Sequence, residues 1–243
     1  MRAIFFKEIS QFFSSLTGYI VIGVFLVLAG IVMWAMPNQS VIDYGFATLD
    51  PLFVNAPMIF LFLIPAVTMR SFAEEKSTGT LEILATKPLT DQAIVGGKFL
   101  AALVLVVFSL IPTLIYYLSI WQLGSPKGNL DSGGIMGSYI GLLFLGGAFT
   151  AIGLFASSLT SNQIVAFVLG VLFCLMMHWG WGTVSLLPKF LGHSDDLIQM
   201  FGMQLHYDSV SRGLLEMRDI VYFLSVIGLF LAATVVSLGR RNW

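Results

Sequence analysis

Six stretches of this chain are each long enough to cross a bilayer, and none holds an Asp, Glu, Lys or Arg. They run from Leu16 to Met36, Leu52 to Met69, Phe99 to Ile120, Ile135 to Ala156, Gln163 to Leu187, and Ile220 to Leu238. A hydrocarbon layer of roughly 30 Å needs about 20 residues of helix to span it. Such a layer offers the backbone no hydrogen-bond partners, so only helices and closed barrels cross it. Unbroken apolar runs, rather than alternating ones, select helix. The predicted class is therefore all-α: a polytopic membrane protein whose residues 1–243 form one six-span domain. Composition agrees, because only 10% of the 243 residues are charged where a soluble domain carries about 25%. A net charge of −1 gives no electrostatic footprint for nucleic acid. Cys174, the single cysteine, has no partner within the chain and reads as a small apolar side chain.

The second run carries Pro57 and Pro65, which predicts a kinked helix. The fifth ends in Trp179-Gly180-Trp181, an expected interfacial girdle. The first exceeds a signal-peptide core and lacks a small-x-small cleavage site after it, so it reads as a retained span. Of the 12 Lys and Arg, eight fall on one side: Arg2, Lys7, Arg70, Lys76, Lys87, Lys98, Arg240 and Arg241. Lys127, Lys189, Arg212 and Arg218 fall on the other. The bias places both termini and the second loop in the cytoplasm.

Three segments outside the spans carry information. In MRAIFFKEISQFFSS, Phe5, Ile9, Phe12, Phe13 and Leu16 recur at helical spacing, with Lys7, Glu8, Gln11 and Ser15 elsewhere; this predicts an amphipathic helix lying along the inner interface. The loop from Arg70 to Lys98 is the most polar stretch. Arg70 to Lys76 extends span two, Gly79 permits a break, Thr80 caps a short helix over Leu81 to Thr86 that must stop before Pro88, and Thr90-Asp91 starts the helix into span three. Leu81, Leu84 and Ala85 share one face of the short helix, with Glu82 beside it. Between spans five and six, His193-Ser194-Asp195-Asp196 offers a helix start. Leu197, Phe201 and Leu205 then mark one external amphipathic helix.

Several chemistries lack their residues. Gly96-Gly97-Lys98-Phe99 has no earlier glycine and no Ser or Thr to hold Mg²⁺, so it is no phosphate loop. Ser132-Gly133-Gly134 lacks the flanks of an ATPase signature and lies on the external side. The chain is therefore expected to be no enzyme and to hold no cofactor or metal of its own. His178 is expected to be a hydrogen-bonded interfacial residue, and Ser109, Thr113 and Thr150 to bond their own helices. Charges at membrane depth, which a proton- or ion-coupled carrier needs, are missing from the spans. Gly137 and Gly141, Gly153 and Ser157, and Gly228 and Ala232 are small pairs four apart, read first as packing within the chain and second as a dimer seam.

Arg70, then Glu74-Glu75-Lys76-Ser77-Thr78-Gly79-Thr80-Leu81-Glu82-Ile83-Leu84, then Lys87-Pro88-Leu89-Thr90, resembles the signature between spans two and three of ABC-transporter permeases of the type-2 exporter family. KEISQFFSSLTGY and the stretch from Ser211-Arg212-Gly213 to Asp219 and Tyr222-Phe223 resemble, more narrowly, the gliding-motility-associated permease subunit of Bacteroidetes. Related multidrug, sodium-efflux and copper-associated permeases share these features. The resemblance implies a multi-pass protein of the bacterial inner membrane that exports substrate when driven by a separate cytoplasmic ABC ATPase holding ATP and Mg²⁺. It implies a second permease copy or a paralogous membrane subunit, as homo- or heterodimer, and a coupling helix after Gly79. The coupling residues would be Glu74, Glu75, Gly79, Thr80, Leu81, Glu82 and Leu84, with Leu81 and Leu84 filling an apolar groove on the ATPase. Two other readings of the residues stay open at this point: an ATP-independent channel or carrier, and a membrane scaffold.

Overall fold

The computed structural model describes residues 1–37, 40–45, 47–85, 88–188, 195–213 and 216–239, and all regular structure among them is helical. The helices are α1 (Arg2–Ser14), α2 (Leu16–Trp34), α3 (Val41–Tyr44), α4 (Asp50–Thr68), α5 (Arg70–Ser77), α6 (Thr80–Ala85), α7 (Asp91–Leu110), α8 (Leu114–Leu123), α9 (Ser132–Leu159), α10 (Gln163–Leu175), α11 (Trp181–Ser185), α12 (Asp195–Gln199), α13 (Met203–Ser211) and α14 (Met217–Gly239). Five segments are single helices long and apolar enough to cross a membrane: Asp50–Ser77, Asp91–Leu123, Ser132–Leu159, Gln163–Ser185 and Met217–Gly239. A sixth arises if the pair Arg2–Ser14 and Gly18–Trp34, bent by 66°, counts as one span.

Helix α9 is the centre of the bundle. In its most apolar stretch 78% of residues are buried inside the protein, against 11% for α14 at the periphery. Its small residues explain the position, since without side chains neighbouring backbones approach closely. A Cβ on Gly137 would lie 2.6 Å from the Val210 carbonyl oxygen of α13, and one on Gly146 would lie 2.8 Å from Val106 Cγ1 of α7. A Cβ on Gly153 would overlap the Thr68 hydroxyl of α4. These glycines thus serve packing within the chain. On α14 the matching position, Gly228, faces open space.

Span two runs unbroken through Pro57 and Pro65 and is interrupted at Met69 instead. Proline at 57 removes the N–H that would bond the Phe53 carbonyl. The Tyr207 hydroxyl of α13 donates to that carbonyl at 2.7 Å, so the lost bond is replaced. At Met69 the Ser157 hydroxyl of α9 enters the helix ladder. It donates to the Met69 carbonyl at 2.8 Å and accepts from the Ala73 and Phe72 amides at 3.1 and 3.0 Å. A side chain inserted this way is a recognised cause of a helix interruption.

Helix α1 forms over Arg2–Ser14, burying Ile4 and Glu8 and leaving Phe5, Ile9, Phe12 and Phe13 half-buried. Other expectations are corrected. Thr80 is the first residue of α6, not its cap. The external amphipathic helix is two helices, α12 and α13, separated at 200–202, and the second buries Met203, His206, Tyr207, Ser209 and Val210. The proposed start at His193-Ser194 and residues Thr86, Lys87, Lys189, Arg240 and Arg241 lie outside the described residues.

Gly153→Leu is expected to destabilise the protein by about 1–3 kcal/mol through overpacking against α4. Gly228→Leu should leave the melting temperature in detergent unchanged, and equal losses at both sites would contradict the assigned packing.

Candidate functional site

The polar loop and the N-terminal helix meet around one buried ammonium. Lys98, from the first half of α7, is 2% exposed. Its Nζ donates to Glu8 Oε1 of α1 at 2.9 Å, to Glu75 Oε1 of α5 at 2.9 Å and to the Ser71 carbonyl at 2.8 Å. An ammonium has three donors, and all three are used. The same nitrogen lies 5.2 Å from the centre of the Phe72 ring, which is fully buried. Lys7 completes the group, reaching Glu75 Oε1 at 3.0 Å and Glu8 Oε1 at 3.4 Å. Two cations and two carboxylates therefore balance, the condition for keeping charge out of water. Burial alone would lower the Lys7 pKa, but the Glu75 hydrogen bond and the charges of Glu8 and Glu75 together outweigh it and hold the ammonium above its ordinary value.

Glycine makes the contact geometrically possible. A Cβ on Gly97 would stand 3.0 Å from Ile4 Cβ and 3.1 Å from the Met1 carbonyl oxygen. The Gly-Gly-Lys sequence thus lets α1 lie directly on α7 and then supplies the cation beneath it.

Beyond this brace the chain turns into α6. Gly79 has φ of 70°, a left-handed backbone that suits glycine. The Ser77 and Thr78 hydroxyls donate to the Glu74 carbonyl at 2.9 and 2.8 Å, and the Thr78 and Thr80 hydroxyls lie 2.9 Å apart. Lys76 donates to the Ser158 carbonyl at the end of α9. Helix α5 is therefore fastened to α1, α7 and α9 at once.

The seven residues singled out from the sequence separate into distinct environments. Glu75 is spent in the brace. Leu81 is 5% exposed and belongs to a buried cluster with Ile4, Phe72, Ile94 and Phe99, so its side chain anchors α6 to the body. Gly79, Thr80 and Glu82 are exposed, and Glu74 and Leu84 are half-buried. Glu74, Thr80 and Leu84 line a cleft of about 620 Å³ shared with Lys7, Gln11 and Arg70. Glu8, Lys98 and Ser157 were missed by the sequence reading.

The opposite end of the bundle holds a second buried polar group. His206 Nδ1 lies 2.7 Å from Asp219 Oδ1 and its Nε2 lies 3.0 Å from the Met200 carbonyl oxygen. Asp219 is fully buried, and the imidazole stacks on Tyr222 with ring centres 3.9 Å apart. Ionisable side chains are thus buried just beyond the apolar runs, where a search of the runs alone does not find them.

Lys98→Met removes the buried cation and leaves Glu8 and Glu75 with only the exposed Lys7 between them. It is expected to cost about 3–5 kcal/mol, measured as thermal unfolding in detergent; Lys127→Met should cost nothing comparable. Because the folded Lys7 pKa is raised, its contribution is complete below the unfolded value of about 10.4 and is lost as pH climbs through the folded one. Lys7→Met should therefore remove part of the stability loss that the native protein shows at alkaline pH. An identical alkaline profile in the variant would contradict the ion pairing.

The family described as ABC-2 family transporter protein matches residues 35–192, more than half of the chain. The chain is 32% identical over 135 residues to the probable multidrug ABC transporter permease YbhR of Escherichia coli (strain K12), and equally to the protein of that name in Escherichia coli O157:H7. The aligned segment is 56% of this chain and 33% of each relative, so the chain spans about a third of the length of these curated relatives.

Proposed function

The chain belongs to the ABC-2 transporter family, and on that premise we propose that it is the permease subunit of an exporter driven by a separate cytoplasmic ABC ATPase. One observation carries this reading. The short helix α6 presents Glu82 outward with Leu84 half-buried at its edge, while the arm α5 behind it is bonded to α1, α7 and α9. A load applied at α6 reaches spans two, three and four through the Leu81 anchor and the bonds of α5. In this mechanism ATP-driven closure of the ATPase pushes on α6. Leu81 and the Lys98 brace transmit the displacement, and Glu82 and Leu84 make the docking contact. Leu81 and Glu75 then act through the fold rather than by touching the ATPase.

Two such permeases, identical or paralogous, form the pathway, with both termini and the α5–α6 loop on the cytoplasmic side of the bacterial inner membrane. The resemblance of the N-terminal segment and of the segment around Asp219 to gliding-motility permeases supports gliding as the process served. Multidrug efflux, the function in the printed name of the Escherichia coli relatives, is the competing assignment. Deletion of the gene should abolish colony spreading with drug sensitivity unchanged, and the reverse outcome favours efflux.

A pull-down of the full chain from membranes in mild detergent should recover an ABC ATPase. Glu82→Arg/Leu84→Asp should lose it while the permease remains inserted and stable. Recovery of the ATPase by the variant, or of none by the native chain, would remove α6 from the mechanism. Gly79→Pro should reduce transport at least tenfold with normal membrane levels, because proline excludes the positive φ at this turn.

A further inference from the structure

At the end of the bundle away from the Lys98 brace, a cleft of about 390 Å³ opens between the end of span five and the pair α12–α13. Ligand sites in proteins fall in the range of about 300–1,000 Å³. Span five changes its winding here. Residues Met176–Gly180 form a π-helical turn between α10 and α11, a distortion found disproportionately at functional sites. The turn carries His178 and Trp179 to the cleft wall. His178 is 2% exposed, yet its Nδ1 has no hydrogen-bond partner among the described residues. That corrects the expectation of a hydrogen-bonded interfacial histidine, and a buried nitrogen left unsatisfied calls for an explanation.

The facing wall is polar and more open, with Gln204 and Asp208 exposed and Gln199 half-buried. The side-chain amides of Gln199 and Gln204 and the carboxylate of Asp208 make no hydrogen bond among the described residues. Burial lifts the Asp208 carboxyl above its ordinary range, and the Arg212 charge only partly offsets it. Arg212, at the rim of the cleft, donates its Nε to the Asp208 carbonyl at 3.0 Å. The Thr183 hydroxyl donates to the Gly180 carbonyl at 2.8 Å and keeps its lone pairs as acceptors. Gly182 and Gly202 line the same space and keep it open.

The chemistry of the wall selects the ligand. One carboxylate and one guanidinium cancel, so neither an anion nor a cation is favoured. Two amides both donate and accept, as do the hydroxyls of a sugar, and the Thr183 hydroxyl adds an acceptor. A partly exposed indole suits the apolar C–H face of a sugar ring. We propose that this cleft, lined by His178, Trp179, Thr183, Gln199, Gln204 and Asp208, binds a neutral sugar ring. The site is independent of the ATPase partner.

The test uses the full chain in phosphatidylcholine nanodiscs, titrated separately with D-glucose, D-galactose, D-mannose and N-acetyl-D-glucosamine. Saturation-transfer NMR and tryptophan fluorescence report binding, with glycine as a zwitterion and inorganic phosphate as an anion for comparison. At least one sugar should bind saturably, with glycine and phosphate weaker. Gln199→Ala/Gln204→Ala, which changes one half-buried and one exposed side chain, should weaken that sugar at least tenfold, and Trp179→Ala should abolish the fluorescence response. No saturable binding by any of the four sugars, tighter binding of glycine or phosphate, or unchanged affinity in the glutamine double variant would each overturn the proposal.

Discussion

An ammonium taken out of water must find its charge and its hydrogen bonds within the protein, and at Lys98 this requirement organises one whole end of the molecule. Nζ is reached by Glu8 from α1, by Glu75 from α5 and by the Ser71 carbonyl, while Lys7 balances the second carboxylate. Such a buried group adds little net stability compared with apolar packing. What it does is fix geometry, because a misplaced carboxylate leaves a charge unpaired in an apolar setting. The position of α1 across α7, the depth of Phe72 and the attachment of the loop to span three all follow from that constraint. Gly97 is its steric counterpart, since any side chain there would hold α1 off.

The same logic governs the uncharged polar groups. At Pro57 and at the break after Thr68, a hydroxyl from a neighbouring helix bonds the backbone group that is freed. Tyr207 does so at the Phe53 carbonyl and Ser157 at Met69, Phe72 and Ala73. Each repair joins two segments distant in sequence. Span two is consequently clamped at both ends, by α13 at one and by α9 at the other, and the arm α5 continues from the clamped end towards α6.

The helices were legible because their cause is local: apolar runs of bilayer length, Gly79 before α6, and Thr90 capping α7 by accepting from the Ala93 amide. The brace was not, because Glu8 and Lys98 are 90 residues apart and each looks like an ordinary interfacial charge in its own segment. The Gly-Gly immediately before Lys98 was the available signal, as a place of close backbone approach, but it was weighed only as a phosphate loop. Leu81 was read as a docking side chain because helical spacing identifies a shared apolar face without saying whether the protein's own core or a partner covers it. His206 and Asp219 escaped for the same reason as Lys98: they lie outside the runs, 13 positions apart, and only folding brings them together.

The central claim is that α1, α5 and the start of α7 move as one body when the ATPase acts. Spin labels on Gln11 of α1 and Thr78 at the end of α5, in the complex reconstituted with its ATPase, test it directly through their distance distribution. The account predicts one narrow distribution, the same in the nucleotide-free and ATP-trapped states, that broadens in Lys98→Met. A distance that shifts between the two states in the otherwise native chain would contradict it, placing the moving joint within the brace instead of beyond it.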